Sequence, residues 1–230
     1  MNTKIALLGL VLLFGGISGV RAQDTPQDIP KKELPKKAVC VICDFQSSAH
    51  GEEKAAAGVR YKGKSYYFCN TSEVATFKKD PEGYMPPVLP RPAPEFLLKT
   101  LDDKTVTNAD YKNKIVLMDY WATWCKPCVE TMPELQKLSK KYADKDVVIL
   151  GVSIDDEGAK VVKPFVTKRK FSYPMALDTG KEPAWKEFKV RGIPALFLID
   201  KEGQIVKQWV GKPKKGEVEE AIKTLIKPAE

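Results

Sequence analysis

Residues 115–154 restrict the fold of this chain more than any other stretch. Ile115–Trp121, IVLMDYW, is a nearly continuous apolar run of strand length, and Val147–Ile154, VVILGVSI, is a second. Between them CVETMPELQKLSKKYA sets Met132, Leu135, Leu138 and Tyr142 at helical spacing, which predicts an amphipathic helix. Strands that are apolar throughout are covered on both faces, and strand, helix, strand in this order is the pattern of a parallel βαβ unit. Further on, ALFLID and IVKQWV flank KEG, a hairpin signal, and a last amphipathic helix is predicted from about Gly216 to Ile226. The fold class that follows is α/β: one mixed sheet covered by helices.

The first buried strand runs directly into WATWCKPC, so Cys125 and Cys128 follow a strand end and open a helix. Free amides and the dipole at a helix N-terminus favour a thiolate, which gives Cys125 a depressed pKa and the role of nucleophile. Lys126 adds positive charge beside it. Cys128, one turn further in, can attack the resulting mixed disulfide and release the product. A zinc site needs about four ligands, whereas residues 95–230 hold no other cysteine and no histidine. A purely structural disulfide closing so short a loop adds little stability through loop entropy. Asp119 lies inside the apolar run, where desolvation raises a carboxyl pKa and suits it to exchange a proton near Cys128. The alternative is an aspartate at a strand end facing water. Trp121 is either plain core or part of the site.

The chain opens MNTKIALLGLVLLFGGISGVRAQD, a positive start, an apolar run broken by glycines, and small residues at Val20 and Ala22. This predicts an export signal over residues 1–22, removed after Ala22, with an uncleaved anchor as the alternative. The protein is therefore expected to be exported, periplasmic or extracytoplasmic, touching a membrane only through that signal if uncleaved. The formal charge of +8 drops by two once Lys4 and Arg21 leave. Lysines are scattered rather than interleaved with aromatics, so a nucleic-acid partner is not expected. Two proline-rich stretches, Thr25–Lys37 and Met85–Pro94, divide the remainder into a linker (23–37), a small module (38–85), a second linker (86–94) and a long domain (95–230). Five cysteines in an exported chain leave at least one outside any intramolecular disulfide.

Two signatures in the long domain resemble the thioredoxin-like superfamily and, within it, exported thiol-disulfide oxidoreductases of the TlpA/ResA type. They are APEFLLKTLDDKTVTNADYKNKIVLMDYWATWCKPC and VRGIPALFLIDKEGQIV, and the resemblance covers Ala93 to about Ile226. It implies a thioredoxin-like fold, protein thiol and disulfide substrates, a redox partner protein, and no cofactor for the redox step. It further implies that Pro194 is the cis-proline that faces the cysteines and leaves the Ile193 backbone free to pair with a substrate, and that Trp124 packs over the cysteines. Two positions depart from the group. Thr131 stands where a glutamate is common, with Glu130 one place earlier, and Asp119 stands where asparagine is common, matching the buried acid of ordinary thioredoxins. Peroxiredoxins share the fold, but WATWCKPC lacks their Pro-x-x-x-Thr-x-x-Cys constellation.

The small module, Val39–Tyr84, is similar to YHS/TRASH metal-associated domains through Cys43, YKGKSYYFC ending at Cys69, and ATFKKDPEGY. Where that family has its last cysteine this chain has Glu73. Cys40 can substitute, making Cys40, Cys43 and Cys69 a three-thiolate set for copper(I) or zinc. A Cys40–Cys43 disulfide and a metal-free docking module are the alternatives, and His50, the only histidine, sits in a polar loop as a solvated residue. Together these readings describe an exported thiol-disulfide oxidoreductase, a reductase of protein disulfides such as those of an apocytochrome c or a copper protein. The competing readings are a metallochaperone whose thioredoxin-like domain keeps metal thiols reduced, and a binding module with a dormant cysteine pair.

Overall fold

A computed structural model describes residues 25–46, 51–85 and 87–226. The expected signal (1–22) and His50 lie outside the described residues. In chain order the N-terminal elements are β1 (Gln27–Asp28), β2 (Lys37–Ala38), α1 (Val41–Gln46), β3 (Glu53–Lys54), β4 (Ala57–Tyr61), β5 (Lys64–Phe68) and α2 (Ser72–Lys79). They are followed by β6 (Arg91–Pro92), β7 (Leu97–Thr100), β8 (Thr105–Thr107), β9 (Ile115–Trp121), α3 (Lys126–Lys141), β10 (Val147–Ser153), α4 (Ala159–Arg169), β11 (Met175–Leu177), α5 (Ala184–Glu187), β12 (Ala195–Ile199), β13 (Gln204–Val210) and α6 (Glu217–Ile226).

The larger sheet has eight strands in the order β6-β13-β12-β9-β10-β11-β7-β8. β9, β10 and β11 run parallel, and β12 and β13 pair antiparallel on the other side of β9. All seven residues of β9 are buried, because helices and loops cover both faces of this central strand. Alternation splits it cleanly. Ile115, Leu117 and Trp121 join Met132, Leu135 and Leu138 of α3 and Val218 and Ile222 of α6 on one face. Val116, Met118 and Tyr120 join Phe96, Leu98, Phe188 and Phe197 on the other. This is the thioredoxin-like mixed sheet expected from the sequence. Gly151 of β10, opposite Asp119 of β9, has no room for a side chain: a Cβ there would lie 2.6 Å from Met175 Sδ and 3.1 Å from the Tyr173 ring.

Both expected linkers are shorter than drawn. Gln27 and Asp28 pair antiparallel with Arg60 and Val59, and the amide of buried Ile29 donates to Gly58 O at 2.8 Å. Residues 27–29 thus form the edge of a three-stranded sheet, β1-β4-β5. Arg91 and Pro92 likewise pair with Ile205 and Gln204 of β13, Ala93 N donates to Gly203 O, and Leu89 packs on the second core face. An edge strand uses its backbone groups on one side only, so proline is tolerated there. The proline content excludes inner strands but not these edges. The large sheet accordingly begins at Arg91, not at residue 95.

The N-terminal elements enclose their own core, in which Phe77 of α2 meets the rings of Tyr61, Tyr66, Phe68 and Tyr84. This body touches the loop after α5: the Arg191 guanidinium pairs with Asp80 and lies 4.7 Å from the centre of the Tyr84 ring.

Candidate active site

α3 starts immediately after the cysteine that its sequence places at the strand end. Cys125 is the N-cap residue of this helix, and its Sγ accepts a hydrogen bond from the Cys128 amide at 3.3 Å. Pro127 sits in the first turn, where amides have no helical partner, so its missing N–H costs nothing. The two cysteines are joined as a disulfide of 2.04 Å. Cys125 is 5% exposed and Cys128 1%, so the first cysteine is the less deeply buried of the two.

The loop before β12 closes over the pair. The Ile193–Pro194 peptide is cis, and the Ile193 carbonyl oxygen lies 3.7 Å from Cys125 Sγ. The Pro194 carbonyl accepts from Gly211 N at 2.7 Å, which ties this loop to the end of β13. Trp124 beside the cysteines is 69% exposed, whereas Trp121 is fully buried with its ring 5.6 Å from Phe165. Trp121 is therefore core, and Trp124 is an apolar surface next to the disulfide.

Asp119 is 1% exposed; the alternative of a water-facing strand end is not what the fold provides. Pleating puts it on the same face of β9 as Leu117 and Trp121, whose core cluster also contains Cys125 and Cys128. Neither carboxylate oxygen has a hydrogen-bond partner, and burial raises its pKa to about 7. The hydroxyl of Tyr173 and the Trp121 Nε1 are also buried without a partner, and burial, followed by the Asp119 charge, holds the Tyr173 phenol well above its ordinary range. Glu130 points outward to Lys212 at 2.9 Å, which lowers its pKa. Thr131 is buried and donates to the Pro127 carbonyl at 2.8 Å.

One residue escaped the sequence reading. Asp155, just beyond β10, is buried, and its carboxylate accepts from Thr123 N at 2.9 Å, Thr123 Oγ1 at 2.6 Å and Ser153 Oγ at 2.8 Å. It fixes the loop two residues before Cys125. The available signal was its position: an acid at the carboxyl end of a parallel strand, where α/β sheets build their sites.

A second cluster lies in the N-terminal body. Cys40 precedes α1, Cys43 lies in its first turn, Cys69 follows β5, and Glu73 is in the first turn of α2. One ligand atom from each falls within 4.8 Å of all the others. The three thiols are free, so the structure does not contain the alternative Cys40–Cys43 disulfide. Burial, followed by the neighbouring thiols, pushes the Cys43 thiol well up, and burial raises Cys69. Such a group of soft sulfurs fits a thiophilic metal ion.

A helix-capping cysteine pair at the end of the central strand, under a cis-proline loop in a thioredoxin-like sheet, is the constellation of a thiol-disulfide oxidoreductase. Residues 89–208 match the AhpC/TSA family, and the chain belongs to it. The thiol-disulfide oxidoreductase ResA of Bacillus thuringiensis subsp. konkukian (strain 97-27) is 36% identical over 133 residues, 58% of this chain and 76% of that protein. The thioredoxin-like protein YneN of Bacillus subtilis (strain 168) is 36% identical over 131 residues, 56% and 76% of the two chains. Among solved structures, a thiol:disulfide interchange protein of the thioredoxin family from Chlorobium tepidum TLS superposes with a TM-score of 0.53 at 26% identity, over 62% of this chain and all of that one. The protein is a thiol-disulfide oxidoreductase acting on protein thiols and disulfides. Among the described residues no helix is long and apolar enough to cross a membrane.

Proposed function

We propose that the chain is an exported reductase of protein disulfides in which Cys125 is the nucleophile, Cys128 the resolving thiol, Asp119 the proton acceptor and the Ile193–Pro194 backbone the substrate dock. The observation that carries this reading is Cys125 at the N-cap of α3, its sulfur held by the Cys128 amide and 3.7 Å from Ile193 O. The Cys125 thiolate attacks one sulfur of the substrate disulfide, forming a mixed disulfide and releasing the first substrate thiolate. Cys128 loses its proton to Asp119 and attacks Cys125 Sγ. The Cys125–Cys128 disulfide forms and the second substrate sulfur leaves. Two electrons pass to the substrate, and a redox partner protein restores the dithiol. An acceptor poised near neutrality serves the Cys128 deprotonation, which reduction requires. Substrates such as an apocytochrome c or a copper protein fit an extracytoplasmic location, which residues 1–22 support.

Cys128→Ser traps mixed disulfides through Cys125, whereas Cys125→Ser traps few, and in the reduced protein Cys125 is alkylated much faster than Cys128. Equal labelling of both thiols below neutral pH would overturn the assignment of roles.

The thiol cluster favours a second reading for the N-terminal body. It is a YHS/TRASH-like metal-handling module, with Cys40, Cys43 and Cys69 holding copper(I) or zinc, and the cysteine pair of the larger domain keeping those thiols reduced. Its support is the convergence of three free thiols, two from the start of α1 and one from the end of β5.

A further inference from the structure

Glu73 stands at the centre of this cluster's geometry, not at its margin. Its Oε2 lies 3.1 Å from Cys40 Sγ and 3.5 Å from Cys69 Sγ, and its Oε1 lies 3.8 Å from Cys43 Sγ. Cys43 and Cys69 Sγ are 3.7 Å apart. A tetrahedral zinc ion with Zn–S bonds of about 2.3 Å holds its sulfurs roughly 3.8 Å apart, and a carboxylate oxygen at about 2.0–2.2 Å then falls roughly 3.5 Å from each sulfur. The Cys43–Cys69 spacing and the Cys69–Glu73 spacing match that tetrahedron, while Cys40 lies closer to Oε2 and Cys43 faces Oε1, so one carboxylate oxygen shifts by a few tenths of an ångström to serve all three sulfurs. The backbone of Glu73 is fixed independently of any ion, since Glu73 N donates to Asn70 Oδ1 at 3.1 Å, in the turn that carries Cys69 into α2.

We propose that Glu73 is the fourth ligand of a closed Cys3Glu site and that the ion it selects is zinc. The proposal rests on the second reading above, that the cluster binds metal at all, and it names the ion. Softness decides between the two candidates. Copper(I) is satisfied by thiolates alone and gains little from a hard oxygen. Zinc takes carboxylate readily and completes four ligands with it. A site of this kind, with no open position, joins the start of α1, the end of β5 and the start of α2, and so braces a body whose core is small. The discriminating property is therefore the dependence of each metal on Glu73, not the raw affinity, since thiolates bind copper(I) tightly in either case.

The experiment uses the full chain with Cys125→Ser and Cys128→Ser, so that only the three module thiols remain, reduced and handled without oxygen. Zinc and copper(I) are titrated separately against chromophoric competitors, and cobalt(II) is added as a spectroscopic probe of coordination. Loss of even an outer-shell partner costs about 10–100-fold in metal affinity, so Glu73→Ala is expected to weaken zinc by at least that factor. The same variant shifts the cobalt d–d bands and leaves copper(I) affinity unchanged, and Glu73→Cys restores tight zinc binding. Circular dichroism of the apo forms checks that the variants are folded. Unchanged zinc affinity and cobalt spectrum in Glu73→Ala overturn the fourth ligand. Copper(I) bound while zinc is not held leaves the metal reading standing and removes the zinc assignment. If the reduced chain binds neither ion, the metal reading itself fails.

Discussion

Asp119 shows how a single residue couples the chemistry to stability. Its carboxyl is raised to about 7 by burial alone, above an unfolded value of about 3.9. A carboxyl raised on folding binds more protons in the native state, so its contribution to stability is intact below pH about 4 and declines as pH rises toward 7. The shift corresponds to a few kcal/mol by the rule of about 1.4 kcal/mol per pKa unit. Asp119→Asn should abolish this slope, so that denaturant midpoints measured at pH 4 and pH 7 converge relative to the parent. If Asp119 also takes the Cys128 proton, the same variant slows resolution of mixed disulfides at neutral pH and removes one titration from the pH–rate profile. A retained titration near 7 would place the proton acceptor elsewhere. That this residue is buried was legible in the sequence because IVLMDYW has apolar neighbours on both sides, while its lack of any hydrogen-bond partner was not.

At the scale of elements, the part of the site that neighbours supply is the Asp155 clamp on the Ala122–Cys125 loop. The Thr123 amide and hydroxyl, donating to one buried carboxylate that Ser153 Oγ also holds, tie the end of β10 to the approach to α3. Asp155→Ala leaves the Thr123 amide and hydroxyl and the Ser153 hydroxyl without their partner, and an unsatisfied buried polar group costs about 1–3 kcal/mol. The expected result is a fall in stability of that order and a slower attack by Cys125. Asp155→Asn should rescue much of the fold but less of the rate, since Asn can still accept from Thr123. Equal loss in both variants would mark the residue as structural only. Sequence reading found β9, α3, β10, the β12–β13 hairpin and α6 within a residue or two, because the central strands are long apolar runs, KEG marks the hairpin turn and the helices carry a 3.6 period. It missed β1 and β6, whose two-residue lengths carry no period and whose pairing depends on distant β4 and β13. Asp155 escaped for the same reason: Thr123 comes from another element, and only the fold brings the two together. Glu73 was visible as the residue in a missing cysteine's place, but its approach to Cys40 and Cys43 was not.

For the whole molecule, the question is whether the N-terminal body moves freely on its proline-rich connection. Residues 91–93 are fixed to β13, so the free length is shorter than the run of prolines suggests. Between the two bodies Arg191, three residues before Pro194, pairs with Asp80 and lies over the ring of Tyr84. Beside this contact a cleft of about 530 Å³ separates Val41, Tyr66 and Tyr84 from Gln208 and Val210 of β13, so the two bodies are not packed as one core. An exposed ion pair is worth about 0–1 kcal/mol and an exposed cation–π contact about 0.5–1. Their sum approaches the 1.4 kcal/mol that changes a population tenfold. Arg191→Ala should therefore raise the undocked fraction by roughly tenfold, read as faster proteolysis around residues 85–89 and a larger radius of gyration. Salt at about 1 M shortens the screening length to about 3 Å, so it should move the parent protein partway toward the variant. Insulin reduction by the Cys125–Cys128 pair should persist in Arg191→Ala, because none of the contacts around the two sulfurs runs through the guanidinium. A parent chain cut as fast as the variant at low salt would mean that the bodies are already apart, with Arg191 holding nothing.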